Sequence, residues 1–433
     1  MRSARVSYLS AGGRKRPSAG GLLRVSVALW WTRKTAGIHL PEVLSAPPRL
    51  RGEFSPGKRD QGVPRRPAAL PLFIAALLFA LPAAAQQASP AFDKASKAAT
   101  AAREQNRVED AIPLYRQAVA LNPSWGEGWW FLGELLYDES KYTDARDALR
   151  HLIAVDPKSG PGFALLGLCE FETKEYDKSL NHIYEARILG LGDEPQVRRV
   201  VLFHQMLLLT RLKEYEAAMQ VLMSVVKDGG AGESVIEAAG IAGLRRPIFP
   251  DQVPEADKDL IERAGRAVCA MALRDPTAAQ NHFTELLAAY PNTPNVHYLY
   301  GSFLSASDRD AGLREYQKEL ELNPKHTEAL ATIALEYEAR GELDTAISYA
   351  RRAVEADGTF FGAHAVLGKL LAGNGQVEQG IKELEIARQQ APDSPQVHFS
   401  LAAAYSLAGK KEEAAKERAE FARLRKLVSE VGQ

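Results

Sequence analysis

Cysteine is scarce in this sequence of 433 residues, and the local motifs that commonly mark catalysis are missing. Only Cys169 and Cys269 are present, so no disulfide framework can hold the fold together. The sequence has no G-x-S-x-G nucleophile elbow, no G-x-x-x-x-G-K-[ST] phosphate loop and no H-E-x-x-H zinc motif. We therefore expect a protein that is not an enzyme and that holds no cofactor and no metal.

The net charge of the whole chain is zero, but the charged residues are distributed unevenly along it. Residues 1–66 contain 14 Lys and Arg against three Asp and Glu, which leaves about +11 there and about −11 on the remainder. Phosphate binding needs clustered Lys and Arg. The acidic body therefore argues against nucleic acid as a partner.

Residues 1–62 have no sustained hydrophobic period and are rich in Arg, Gly, Pro and Ser. This composition is typical of a disordered extension. A basic nucleic-acid arm and a stretch that is not translated are the alternatives.

Residues 63–85 carry the order of a signal peptide: Arg65 and Arg66, an apolar run over 68–81, and small residues over 82–85. This order predicts export, cleavage after Ala85 and a periplasmic or envelope-associated protein. The alternative is an uncleaved inner-membrane anchor over 68–85, since ~20 apolar residues span a bilayer. Such an anchor would be the only membrane contact that the sequence predicts.

Repetition dominates the rest of the chain. Residues 126–159 read as two amphipathic helices flanking a break at Ser140-Lys141, with apolar or small residues at helical spacing: Trp129, Leu132, Gly133, Leu136, Ala145, Leu149, Leu152. The stretch resembles the tetratricopeptide repeat, a 34-residue helix–turn–helix. Copies recur with closing positions at 123, 157, 191, 291, 324, 358 and 392.

The resemblance implies an all-α, right-handed α-solenoid of about nine such repeats behind the disordered extension and the signal-peptide-like helix. Units one to four are expected over 92–232 and units five to nine over 260–428, the last with a charged capping helix. Such repeats are stable only by stacking on their neighbours.

Residues 233–259 break the period. Residues 233–243 are compatible with an extra helix, which would cover the first helix of unit four, apolar on almost every side. Residues 245–254, here called the proline-rich segment, hold three prolines and cannot form a regular helix. This segment is either a partner-binding loop or a packed strap that seals unit four against unit five. The apolar Ile248 and Phe249 favour the strap.

Three histidines, His297, His364 and His398, occupy the fourth position of their units, where the motif prefers Trp. They either converge on a metal or, as we favour, replace an aromatic ring between helices. Cys169 and Cys269 share one register two repeats apart, which separates them too far for a disulfide. They are predicted to be small buried hydrophobic residues.

In this family the first helices line the concave side, so the resemblance implies a non-catalytic scaffold that binds a peptide or helix of a partner protein in that groove. The aromatic residues implied to face it are Trp130, Tyr137, Phe171, Phe203, Tyr298 and Phe399. The Lys, Arg and Asn clamp of co-chaperone members is absent. The alternative functions are a structural or assembly subunit of a stable envelope complex, with residues 233–259 as its contact, and an accessory domain of a separate enzyme.

Overall fold

A computed structural model describes residues 89–191 and 195–431, with side chains to residue 426. The predictions for 1–62 and 63–85, including the alternative membrane anchor, lie outside these residues. The described residues form 19 α-helices and no strand. None of these helices is long and apolar enough to cross a membrane.

Units one to four form four helix hairpins. Their helices, two per unit, are α1 (Pro90–Glu104), α2 (Val108–Leu121), α3 (Gly126–Asp138), α4 (Tyr142–Val155), α5 (Gly160–Glu172), α6 (Tyr176–Leu189), α7 (Pro195–Arg211) and α8 (Tyr215–Gly229). The next helix is α9 (Glu233–Gly243), the extra helix that the sequence predicts.

Units five to nine follow the proline-rich segment, which contains only a short 3-10 turn, Pro250–Gln252. Their helices are α10 (Lys258–Ala272), α11 (Pro276–Ala289), α12 (Val296–Leu304), α13 (Arg309–Leu322), α14 (Thr327–Ala339), α15 (Leu343–Ala356), α16 (Phe361–Gly373), α17 (Val377–Gln390), α18 (Pro395–Leu407) and α19 (Lys411–Val431). The all-α solenoid predicted from the repeats is confirmed.

The turns inside the hairpins share one backbone conformation in every unit except unit six. The second residue after the first helix lies in the left-handed region, which lets amides of the turn bond the last carbonyls of that helix. In the later units this residue is glycine, at Gly341, Gly375 and Gly409. In earlier units a polar side chain takes the place, as at Ser140 and Lys213.

Neighbouring units are also joined by a recurrent hydrogen bond. The hydroxyl of a first-helix tyrosine meets a side chain of the preceding second helix, 20 residues earlier. The pairs are Tyr300 with Gln280 at 2.9 Å, Tyr337 with Gln317 at 3.4 Å, and Tyr405 with Glu385 at 2.6 Å. The three pairs share one register and link the repeats in the second half of the chain.

Helix α9 fits closely against α10. A Cβ atom added to Gly240 would lie 1.9 Å from the carbonyl oxygen of Ile261, and one added to Gly265 would lie 1.9 Å from that of Ile236. Only glycine allows the two backbones to approach so closely. Helix α9 also packs on α7 and α8. Together these helices form one core cluster, so the prediction that the insertion covers the apolar first helix of unit four is confirmed.

Successive first helices contact one another directly: α3 with α5, α5 with α7, α14 with α16, and α16 with α18. Each second helix instead packs on the first helix of its own unit and, outside the insertion, on that of the next. Helices on the inside of a curve lie closest together, so the first helices form the concave side. Helix α19 also contacts α6 of unit three, so the chain curves back towards its own beginning.

Candidate interaction surface

The histidines at the fourth position replace a tryptophan and keep its hydrogen bond. In unit two the indole N–H of Trp129 donates to the carbonyl oxygen of Pro123 at 2.8 Å. In units six, eight and nine a histidine Nε2 contacts the equivalent carbonyl six residues earlier: His297 with Pro291 at 2.8 Å, His364 with Gly358 at 3.0 Å, and His398 with Pro392 at 2.8 Å. The predicted substitution for an aromatic ring is confirmed.

The other ring nitrogen of each histidine meets a glutamate of the second helix. Nδ1 of His297 lies 2.6 Å from Glu315, that of His364 lies 2.6 Å from Glu383, and that of His398 contacts Glu417. Both nitrogens of each ring therefore lie at hydrogen-bond distance from an oxygen atom. These glutamates could not be recognised from the sequence, because each lies 18 or 19 residues from its histidine, on a different helix.

The electrostatics of the His297 pair agree with this geometry. The hydrogen bond to Glu315 raises the pKa of His297 above its ordinary value, against the effect of burial. Burial would raise the pKa of Glu315, but hydrogen bonds from His297 and Lys318 lower it. The histidines are spread over separate units, and the described residues contain no cluster of three ligands that could hold a metal ion.

Both cysteines are free and buried. Burial raises the pKa of both thiols, that of Cys269 to about 12. A thiol held protonated in this way is a poor nucleophile. The cysteines therefore act as small hydrophobic residues, as predicted.

The six predicted groove residues differ in exposure. Phe399 is 52% exposed, and Trp130, Tyr137 and Phe203 are half-buried. Phe171 and Tyr298 are only 1% and 5% exposed, so the prediction that these two are open to a partner is wrong. Binding of a partner by the other four remains a prediction.

The proline-rich segment covers the two buried rings. Phe249 is completely buried, with its ring centroid 5.8 Å from that of Phe171 and 6.0 Å from that of Tyr176. The guanidinium of Arg245 lies 5.0 Å from the ring of Tyr298. Two side chains of one short segment therefore fill positions on the first helices of units three and six.

Arg245 sits between two carboxylates from distant units. Its guanidinium donates to Glu216 of unit four at 2.8 Å and to Glu328 of unit seven at 2.5 Å, with Tyr215 4.8 Å from the cation. The three charged side chains are almost completely buried. The proline-rich segment is thus a packed strap, as favoured from sequence, and it reaches beyond the predicted seam between units four and five to units three, six and seven.

Burial and the ion pairs act in opposite directions on these groups. Burial would raise the pKa of Glu328, but the charge of Arg245 holds it far below its ordinary value. Burial also raises the pKa of Glu216, and there the ion pair with Arg245 does not outweigh it. Burial opposes the charge on Arg245, but the two carboxylates raise its pKa further. The Arg245–Glu328 pair therefore carries the full charges, while the second carboxylate is incompletely compensated.

The first helices near the two ends of the concave side keep partly exposed aromatic rings. In unit two, Trp130 lies beside the exposed Glu127. In unit nine, the ring of Phe399 lies 5.4 Å from that of Phe421 on α19. Between the strap and unit nine, Lys369 bonds Glu338 at 2.7 Å across α14 and α16. An aromatic group next to acidic and small residues can anchor an apolar side chain of a partner.

Models of the tetratricopeptide repeat match residues 96–162, 302–359 and 337–405. No curated protein matches the chain in sequence. Among solved structures, the MamA protein is 18% identical and covers 39% of this chain and 92% of its own, with a TM-score of 0.34. MamA from Desulfovibrio magneticus RS-1 is 20% identical, with coverages of 39% and 95% and a TM-score of 0.35. YrrB, described as a tetratricopeptide-repeat protein with an unusual peptide-binding site, is 14% identical, with coverages of 37% and 86% and a TM-score of 0.32.

Proposed function

Since this chain belongs to the tetratricopeptide repeat family and is a scaffold for protein interactions, we propose that it binds a peptide or helix of a partner protein on its concave side, and that it does so in the cell envelope. The scaffold is proposed to be non-catalytic, in agreement with the buried thiols and the structural role of the histidines. The envelope location rests on the order of basic, apolar and small residues over 63–85.

One observation carries the proposal for the concave side. The strap covers units three to seven, yet aromatic residues on first helices remain accessible on both sides of it, Phe399 at 52% and Trp130 at a half-buried position. Solvent exposure of a large ring costs free energy unless a partner buries it. The two ends of the concave side are therefore the places where we expect a partner.

The second candidate function, an assembly subunit of a stable complex, is favoured by a different surface. The second helices of units one to three end in exposed aliphatic residues at one register: Leu121 at 44%, Val155 at 40% and Leu189 at 37%. Their spacing of 34 residues aligns them along the edge of the stacked units. A row of this kind fits a permanent contact.

The two candidates are separated by affinity capture from native envelopes under identical conditions. One variant carries Trp130→Ala and Phe399→Ala, and its matched control carries Leu121→Ala and Val155→Ala on the second helices. We expect the first variant to lose the partner that the wild type captures and the control to keep it. Loss only in the control would favour the assembly subunit, and an unchanged partner in both would contradict both functions.

The envelope location is tested by sequencing the N-terminus of the mature protein. We expect it to begin at Gln86. A protein that begins at or near Met1 would contradict export by cleavage.

A further inference from the structure

We propose that the concave side of units three to seven is a second peptide-binding site, which the chain fills with its own residues 245–249, and that this site fits a partner segment with an arginine and, four residues later, a phenylalanine. The inference deepens the proposed function, because it names the chemistry of a partner for the middle of the same concave side. It depends on the contacts of the strap and not on the two ends of the concave side.

The first half of the site recognises a guanidinium. Glu216 and Glu328 approach Arg245 from two different units, at 2.8 Å and 2.5 Å, and the rings of Tyr215 and Tyr298 lie within 5.0 Å of the cation. Carboxylates and aromatic faces are the groups that favour arginine over lysine, because the planar cation both donates in two directions and stacks. The site thus selects for one side-chain type.

The second half recognises a phenyl ring. Phe249 is buried against Phe171 and Tyr176, and the ring of His204 lies next to this pair, 4.6 Å from that of Phe171. Burial lowers the pKa of His204, against a hydrogen bond to the carbonyl of Val200. The neutral ring therefore adds no charge to an apolar pocket, and a phenylalanine suits it better than a polar side chain.

The backbone between the two side chains is held as a bound peptide would be held. Arg211 of α7 donates to the carbonyl oxygen of Pro247 at 3.1 Å, and Pro247 itself donates no amide. Over residues 245–249 the chain forms no helix and no strand. The first of these residues contacts unit seven and the last contacts unit three. Two side-chain pockets and one main-chain contact from the scaffold describe a peptide site.

The chain's own segment leaves this site incompletely satisfied. One carboxylate oxygen of Glu216, Oε2, is buried without a hydrogen-bond partner, and two carboxylates face one guanidinium. A buried acceptor left unpaired is costly. A partner segment that brings the same arginine with one further donor would be held better, which gives it the means to replace the strap.

The strap has an advantage over a free partner segment in binding this site, because it is covalently linked to the scaffold. A segment linked within the same chain competes at an effective concentration on the order of millimolar. A free segment of equal chemistry is therefore expected to bind wild type weakly and to bind strongly once the chain's own anchors are removed. This difference between the two proteins is the signature of an occupied site.

The probe is a fluorescent synthetic peptide of residues 243–254, measured by anisotropy. The receptor variant carries Arg245→Ala and Phe249→Ala, so that the segment keeps its length but loses both anchors. We expect the variant to bind the peptide at least about tenfold more tightly than wild type does, in line with the tethered competition. Peptides with Arg245→Ala or Phe249→Ala should lose at least about tenfold in affinity, since each loses one pocket.

The proposal is overturned if the folded variant does not bind the peptide at about millimolar concentration, or binds the substituted peptides equally well. Circular dichroism establishes that the variant is folded. Should it fail to fold, the milder Arg245→Lys and Phe249→Leu variant is measured instead, with the same expected order of affinities and the same overturning result. Repeating the titration with Trp130→Ala and Phe399→Ala added should leave the peptide affinity unchanged, so failure here is distinct from failure of the capture experiment.

Discussion

The contact between α9 and α10 makes a quantitative prediction for Gly240→Ala. The new methyl carbon would lie 1.9 Å from the carbonyl oxygen of Ile261 and 3.0 Å from the amide nitrogen of Gly265. Both are backbone atoms, so no rotation of a side chain can relieve the clash. The helices must separate by about 1.5 Å before the carbonyl contact reaches the ordinary 3.4 Å.

Two effects of opposite sign decide the size of the change. Overpacking in a close interface costs about 1–3 kcal/mol, and a clash with backbone belongs at the upper end of that range. Alanine returns up to about 1 kcal/mol, because it is a better helix former than glycine. We therefore expect Gly240→Ala to lower the free energy of unfolding by about 2 kcal/mol, a cost dominated by overpacking.

The matched control is Gly373→Ala at the end of α16, where an added Cβ atom meets no neighbour within 4 Å. This control should be neutral or slightly stabilising. The assay is guanidinium chloride unfolding, with hydrogen exchange followed separately in α9 and α10, because repeat arrays need not unfold in one step. If the two variants unfold at the same denaturant concentration, the result contradicts the close approach of the α9 and α10 backbones at Gly240.

A double variant tests the same reasoning more strictly. Gly265→Ala places its methyl carbon 1.9 Å from the carbonyl oxygen of Ile236 at the same crossing. Once the helices have separated to accept one methyl group, the second needs less further movement. The cost of Gly240→Ala with Gly265→Ala should therefore fall short of the sum of the single costs, and an additive result would contradict a shared clash.

The remaining predictions concern titratable groups. The pKa of His297 is raised in the folded protein, so its pair with Glu315 stabilises the fold fully below the unfolded pKa of about 6.5. This stabilisation is lost as the pH rises through the folded pKa of His297. The pKa of Glu315 is lowered, so its contribution is complete above the ordinary pKa of 4.5 and is lost at lower pH. Wild type should therefore lose stability as the pH rises above about 6.5, and Glu315→Gln should reduce this dependence in thermal melts. Glu285→Gln, which faces the more exposed His282 at 3.8 Å, should retain it, and equal pH dependence in all three proteins would refute the pairing. Burial raises the pKa of the Cys169 and Cys269 thiols. Neither should therefore react with a thiol reagent at about pH 8 until the protein unfolds. Rapid reaction of the native protein would contradict their burial.

The repeat architecture was predictable because its determinants are local. The break predicted at Ser140-Lys141 lies between α3, which ends at Asp138, and α4, which begins at Tyr142. The extra helix over 233–243 was predicted from its sequence and begins and ends at those residues. Helical spacing of apolar side chains, turn residues and prolines act within a few residues, so they can be recognised without knowledge of the rest of the fold.

The candidate surface was predictable only in part. The positions of Trp130 and Phe399 on first helices follow from the repeat register, and both retain exposure. The same register placed Phe171 and Tyr298 in an open groove, where the strap in fact buries them. The register of a repeat describes an average unit, and it contains no information about an insertion that leaves the period.

By itself, the sequence determined which residues form helices, where each hairpin turns, and that a histidine can stand where a tryptophan is usual, because these properties depend on neighbours within one unit. Only the tertiary structure decided what the insertion covers. The contact between Arg245 and Glu328 joins residues 83 positions apart, and it exists because the accumulated curvature of the intervening units brings unit seven opposite unit four. Curvature is a sum of small interhelical angles, and no single stretch of sequence contains that sum.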